Sequence, residues 1–108
     1  SIDDSHNMLF GVFASHSPES CPLNDKNSKK IFLDISKKIE LSIKKHNIEK
    51  IVGFYMSVLE HQWIIILDAN NAHDIETMCI DVGISATSTV KIVPLNEFSK
   101  VIKKLTSK

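Results

Sequence analysis

Apolar residues along this chain gather in two kinds of segment: short unbroken runs, and longer stretches where they recur at every third or fourth position. The first run, residues 8–15 (MLFGVFAS), is aromatic and closed by turn-forming residues, which predicts a buried strand. A loop follows over residues 16–27, rich in Ser, Pro, Asn and Asp, with Asn24, Asp25 and Asn27 as candidate N-caps. From Ser28 to Lys45, Ile31, Phe32, Ile35, Ile39 and Ile43 form one stripe between lysines and acids, which predicts an amphipathic helix. Lys44, Lys45 and His46 complement its C-terminal dipole, and Asn47 can take a left-handed cap. Strands are predicted over Lys50–Val58 (KIVGFYMSV) and His61–Ala69 (HQWIIILDA); the second holds three successive isoleucines, β-branched residues that fit a pleated surface. Asn70 and Asn71 are placed to cap a short helix from Ala72 to about Val82, with Ile75, Met78, Cys79 and Val82 on its inner side and Gly83 at its end. A less apolar fourth strand is expected over residues 87–93, at an edge, and Pro94 is expected to open a last helix whose face is Phe98, Val101, Ile102 and Leu105.

This order, β-α-β-β-α-β followed by a C-terminal helix, is the split βαβ arrangement of ferredoxin-like α+β folds. Right-handed crossovers then give a four-stranded antiparallel sheet in the order 4-1-3-2, with the two main helices on one face. A register can be proposed from the side-chain alternation. With His16 opposite His61 and Ser57 opposite Gln62, one face carries Phe10, Val12 and Ala14, then Trp63, Ile65 and Leu67, then Val52, Phe54 and Met56. All are apolar, so this face belongs under the helices. The other face carries Leu9, Gly11 and Phe13, then Gln62, Ile64 and Ile66, then Ile51, Gly53 and Tyr55, and is too apolar to be left in water.

Composition sets bounds on this picture. A chain of 108 residues is one domain, expected over residues 8–108, with residues 1–7 a polar, flexible tail in which His6 has no assigned role. Thirteen basic residues balance thirteen acidic ones, which argues against a general attraction to nucleic acid or an anionic membrane. The lysines at positions 29, 30, 37, 38, 44 and 45 read as a solvated helix face. Two cysteines, Cys21 and Cys79, are too few for a disulfide framework. With no long apolar span and no basic-then-apolar leader pattern, a cytoplasmic setting with both thiols free is expected. Cys79 is expected in the core, Cys21 in an accessible, reactive loop.

The strand order, the length and the second apolar sheet face resemble the dimeric α+β barrel superfamily, in which two ferredoxin-like sheets pack face to face. The likeness extends from about Met8 to Leu105. The mixed but largely apolar second face predicts a homodimer through the face bearing Phe13, Tyr55 and Ile64. Members of that superfamily include monooxygenases, isomerases, haem-degrading enzymes and binding proteins, so the fold selects no single activity. The H-x-P-x-x-C-P loop of His16–Pro22, with Glu60-His61 entering the third strand, also resembles a set of small uncharacterised prokaryotic proteins.

The candidate chemistry lies in those two stretches. The first and third strands are antiparallel neighbours, so the end of one adjoins the start of the other and His16 comes beside His61. The proline-rich loop carrying Cys21 leaves from the same edge. A thiolate and two imidazoles can thus converge, a donor set that suits zinc or copper, with Glu19, Glu60 or water as a fourth ligand. The expectation is a small metal-binding protein using His16, Cys21 and His61. The alternative is a small-molecule enzyme of the dimeric-barrel type, with a histidine as acid or base or Cys21 as nucleophile. The plainer reading makes all three residues structural. No glycine-rich phosphate loop is present.

Overall fold

A computed structural model describes residues 8–107; the expected tail, residues 1–7, lies outside the described residues. The elements are β1 (Met8–Ser15), a 3-10 turn (Pro18–Ser20), α1 (Lys26–Lys45), β2 (Ile48–Ser57), β3 (Gln62–Ala69), α2 (Ala72–Val82), α3 (Ile84–Thr87), β4 (Thr89–Leu95) and α4 (Phe98–Thr106). The strands form one antiparallel sheet in the order β2-β3-β1-β4, the expected ferredoxin-like order read from its other edge. Helix α1 begins two residues earlier than the periodicity suggests, because the Asp25 side chain accepts a hydrogen bond from the Ser28 amide at 2.8 Å and caps it there. Asn71 does the same for α2 through the Asp74 amide, at 2.9 Å. Asn47 takes the expected left-handed backbone after α1, with φ 60°.

The core lies between the sheet and helices α1 and α2. Phe10, Val12, Ala14, Trp63, Ile65 and Leu67 point into it from the central strands, against Ile35 and Ile39 of α1 and Ile75, Met78, Cys79 and Val82 of α2. The expected pairings of Ser57 and Ser15 with Gln62 are present. On β2 the expected alternation fails at two points. The register shifts between Ile48 and Lys50 and again between Ile51 and Gly53, so Ile51 lies opposite Leu67 and packs on the core while Val52 is exposed. A bulge adds one residue to the strand, and every side chain on one side of it changes face.

Two further differences lie near the C-terminus. Gly83, at φ 95°, ends α2 and leads straight into α3, whose Ile84 is fully buried and draws the chain inward, so β4 starts later than expected. Pro94 sits inside β4, paired with Phe10, rather than opening a helix. A residue without an N–H is tolerated there because β4 is an edge strand. Helix α4 has the expected apolar face, but none of its residues is buried within the chain.

The helix layer is tied together by Asp81 of α2. Its carboxylate accepts hydrogen bonds from Ser42 Oγ at 3.1 Å and His46 Nε2 at 3.2 Å, with Lys45 Nζ at 3.8 Å. The bond from His46, then that from Ser42, lowers the Asp81 pKa below its ordinary value. A carboxylate depressed in the folded state stabilises the fold above its unfolded pKa, about 3.9, and that contribution disappears as pH falls through the folded value. Asp81→Asn is therefore expected to lower the urea midpoint at pH 6 and to flatten its decline in more acidic buffer. Equal midpoints for parent and variant at pH 6 would show that the link is not stabilising.

Candidate functional site

At the end of the sheet where β1 finishes and β3 begins, the ladder gains one more rung: the His16 amide donates to the His61 carbonyl at 2.9 Å. His16 and Ala14 lie on the same side of β1, and His61 and Trp63 on the same side leading into β3, because side chains alternate along strands. That side is the one under α1. Phe32 of α1 meets the His16 ring edge-on with centroids 5.5 Å apart, and meets Trp63 edge-on at 4.2 Å. The two imidazoles are 5.5 Å apart, also edge-to-face. His61 has a left-handed backbone, φ 53°, within the β2–β3 turn, where its amide donates to the Val58 carbonyl at 3.3 Å.

The loop after β1 folds back over this edge. Its 3-10 turn is closed by the Cys21 amide donating to the Pro18 carbonyl at 3.2 Å, and the Cys21 carbonyl accepts from the Asn24 and Asp25 amides, both at 2.9 Å. Cys21 is thereby buried, at 2 % exposure. This corrects the expectation of an accessible thiol: loop residues are usually exposed, but here three backbone bonds hold this one inward.

One ligand atom from each of His16, Cys21 and His61 lies within 4.8 Å of the other two. Glu19 and Glu60, the candidates for a fourth ligand, are exposed and stand outside this cluster. His46 and His73 are elsewhere, paired with Asp81 and Glu76 respectively. Cys79 is in the core, where burial and then Glu76 push its thiol up to about 12.

The polarity of the cluster is unusual for a buried place. Both ring nitrogens of His16, Nδ1 of His61 and Nε1 of Trp63 are buried with no hydrogen-bond partner among the described residues. Leaving such a group unsatisfied costs about 1–3 kcal/mol each. Burial, and secondly the neighbouring His61, lowers the His16 pKa, which favours the neutral imidazole. Trp63 escaped the sequence reading as a site residue. Its position two residues after His61, on the same side of the strand, is the signal that could have placed it there.

No protein-family description matches the chain, and no curated protein does. Solved structures do match in fold. A proposed antibiotic biosynthesis monooxygenase from Bacteroides thetaiotaomicron aligns over 89 % of this chain and 93 % of its own, with TM-score 0.59 and 8 % identity. A similarly named protein from Nitrosomonas europaea aligns over 86 % and 91 %, with TM-score 0.55 and 11 % identity. Rv0793 from Mycobacterium tuberculosis aligns over 85 % and 95 %, with TM-score 0.52 and 7 % identity. This chain shares their fold. At such identities the likeness extends to the fold alone. The first expectation, a metal-binding protein as the function of this chain, is corrected against these neighbours, two of which are named as proposed monooxygenases.

Proposed function

We propose that this protein is a small-molecule enzyme of the dimeric α+β barrel type, with His16, Cys21 and His61 as its reacting centre. The observation that carries the reading is a buried thiol, a buried imidazole and a half-buried one whose ligand atoms lie within 4.8 Å of one another, with three of the four imidazole nitrogens buried and without a partner among the described residues. A structural cluster would satisfy those nitrogens, whereas a reacting centre leaves them free for a substrate. The oxygenase names of the fold neighbours support the same class.

Removal of a proton from an activated carbon or phenol is chemistry that a Cys/His site can carry out. Neutral His16 is the base in this reading. His61, beside it, steadies the charge that develops, and Cys21 serves as the acid that returns a proton or as a nucleophile. Separations of this size are bridged by substrate or by one water, the usual reach of general acid–base catalysis. The enzyme works as a homodimer through the sheet face away from the helices, where Phe13, Ile64 and Tyr55 lie in one cross-strand row. The exposed face of α4, with Phe98 at 77 % and Leu105 at 75 %, is further apolar surface that a second copy would cover. Two free cysteines fit a reducing, cytoplasmic setting.

The test is turnover of defined probes. A panel of quinols and 1,3-dicarbonyl compounds in deuterated buffer, followed by proton NMR and by oxygen uptake, should reveal catalysed exchange or oxidation by the parent. His16→Ala should lower the rate by roughly 10²–10⁴-fold, the usual worth of a general base, while His46→Ala and His73→Ala leave it unchanged. A folded His16→Ala variant that turns over like the parent would remove His16 from the centre. A parent inert towards every probe would count against the enzyme reading.

A further inference from the structure

We propose that His16, Cys21 and His61 are the three protein ligands of a single cuprous ion, held as the cofactor of the enzyme proposed above. The inference rests on that reading of the centre and replaces the acid–base roles given there: the imidazole lone pairs of His16 and His61 and the thiolate of Cys21 go to the ion, which is a working part of the centre, distinct from a stored or transported cargo.

Three observations meet at this point. First, each residue offers one soft or borderline donor, and the three donor atoms are within 4.8 Å of one another. Bonds of about 2.0 Å to nitrogen and 2.3 Å to sulfur around one ion place donors roughly 3.5 Å apart, so an inward movement of the side chains by about 1 Å completes the shell. Second, His16 is only 7 % exposed and both its ring nitrogens are unpaired, as is Nδ1 of His61. A metal gives one nitrogen of each ring the partner that the protein does not. Third, the backbone already fixes the donors: the His16–His61 hydrogen bond ties two of them, and the closed turn at Pro18–Cys21 ties the third. The side chains have little freedom left to lose on binding, which favours affinity.

The surroundings select among ions. The wall of the cluster is aromatic, with Phe32 against His16 and both Phe32 and Phe54 against Trp63. The donor group contains no carboxylate, since Glu19 and Glu60 are exposed and outside it. One thiolate and two neutral imidazoles carry a single negative charge. With a cuprous ion the buried unit is neutral; with zinc it carries one uncompensated positive charge in an apolar wall, which is costly. Thiolate and imidazole are also the ligands that soft copper prefers, and they suit magnesium or calcium poorly.

Metal binding is measured without reference to turnover. Cuprous ion is titrated anaerobically into the full-length protein in competition with bicinchoninate, and zinc separately in competition with 4-(2-pyridylazo)resorcinol. The parent should bind one cuprous ion per chain, more tightly than zinc. His16→Ala, Cys21→Ala and His61→Ala should each weaken binding by at least about 10-fold to 100-fold, the scale on which even supporting residues of metal sites act. His73→Ala and Cys79→Ala should bind as the parent does. X-ray absorption of the bound ion should show sulfur and nitrogen donors together. Circular dichroism of each variant identifies one that has merely unfolded; Cys21→Ser, closer in size, then replaces Cys21→Ala as the test of the sulfur ligand. Tighter binding of zinc would overturn the choice of ion. Stoichiometric cuprous binding that survives all three ligand substitutions, or a parent that binds none, would overturn the site. If copper fails to bind while probe turnover persists and depends on His16, this inference falls and the enzyme reading stands; if turnover is absent as well, both fall.

Discussion

Replacing Ile65 by alanine is expected to destabilise the fold by about 3–4 kcal/mol, within the range for buried isoleucine truncations. Ile65 is fully buried at the middle of the central strand β3, flanked by Val12 on β1 and Phe54 on β2. The helix layer lies above it, so the vacated volume is enclosed on every side and collapse is limited by close packing. For a domain of this size that loss corresponds to a fall in Tm of about 15–25 °C. The comparison that gives it meaning is Ile64→Ala, one residue away and on the opposite face. Ile64 is only half-buried within the chain, so its truncation should have much the smaller effect on secondary-structure melting at low protein concentration. Thermal scans of both variants at one fixed concentration check this, because the proposed dimerisation would make Tm concentration-dependent. Similar losses for the two would mean that the faces are not distinguished as the register requires.

Ile64→Asp is expected to separate the proposed homodimer into single chains. Ile64 stands opposite Phe13 on one side and Tyr55 on the other, at the centre of the sheet face that no helix covers. Two glycines in the neighbouring row, Gly11 and Gly53, let the rings of Phe13 and Tyr55 lie back along their own strands: a Cβ on Gly53 would stand 2.6 Å from the Tyr55 ring, and one on Gly11 3.1 Å from that of Phe13. The result is a broad, smooth apolar surface on which a second such surface can settle. A carboxylate placed there twice by symmetry, unpaired and desolvated, costs about 3–5 kcal/mol, which is at least about two orders of magnitude in dissociation constant. Light scattering at micromolar concentration should give twice the 12.1 kDa chain mass for the parent and one chain mass for the variant. A monomeric parent would overturn the dimer.

Which features could be anticipated from the sequence follows from the range of the forces involved. The central strands were legible because period-2 alternation at Phe10, Val12 and Ala14 and at Trp63, Ile65 and Leu67 admits one register only, and that register places His16 beside His61. The β2 bulge was not legible, since a run such as Lys50–Val58 is apolar on both faces near Ile51-Val52 and alternation cannot locate an inserted residue there. Pro94 was read by its local preference for a helix start, and tertiary pairing with β1 overrode it. The burial of Cys21 depends on backbone bonds within residues 18–25 that no periodicity encodes. The short α3 was missed for a related reason: only the packing of Ile84 fixes where the chain turns.

The two margins of the sheet restrict how the molecule can grow. β2 carries its register shifts along with Glu49 and Lys50, and β4 carries Lys91 and Pro94. An incoming strand needs a straight, unbroken line of N–H and C=O groups, and neither margin offers one. End-to-end addition of copies into a continuous ribbon, the first step towards fibrils, is therefore obstructed at both sides. The broad face remains open, as does the exposed face of α4, and in the proposed dimer a face that meets its own copy about a two-fold axis is used up by that single encounter. Association through that face then stops at two.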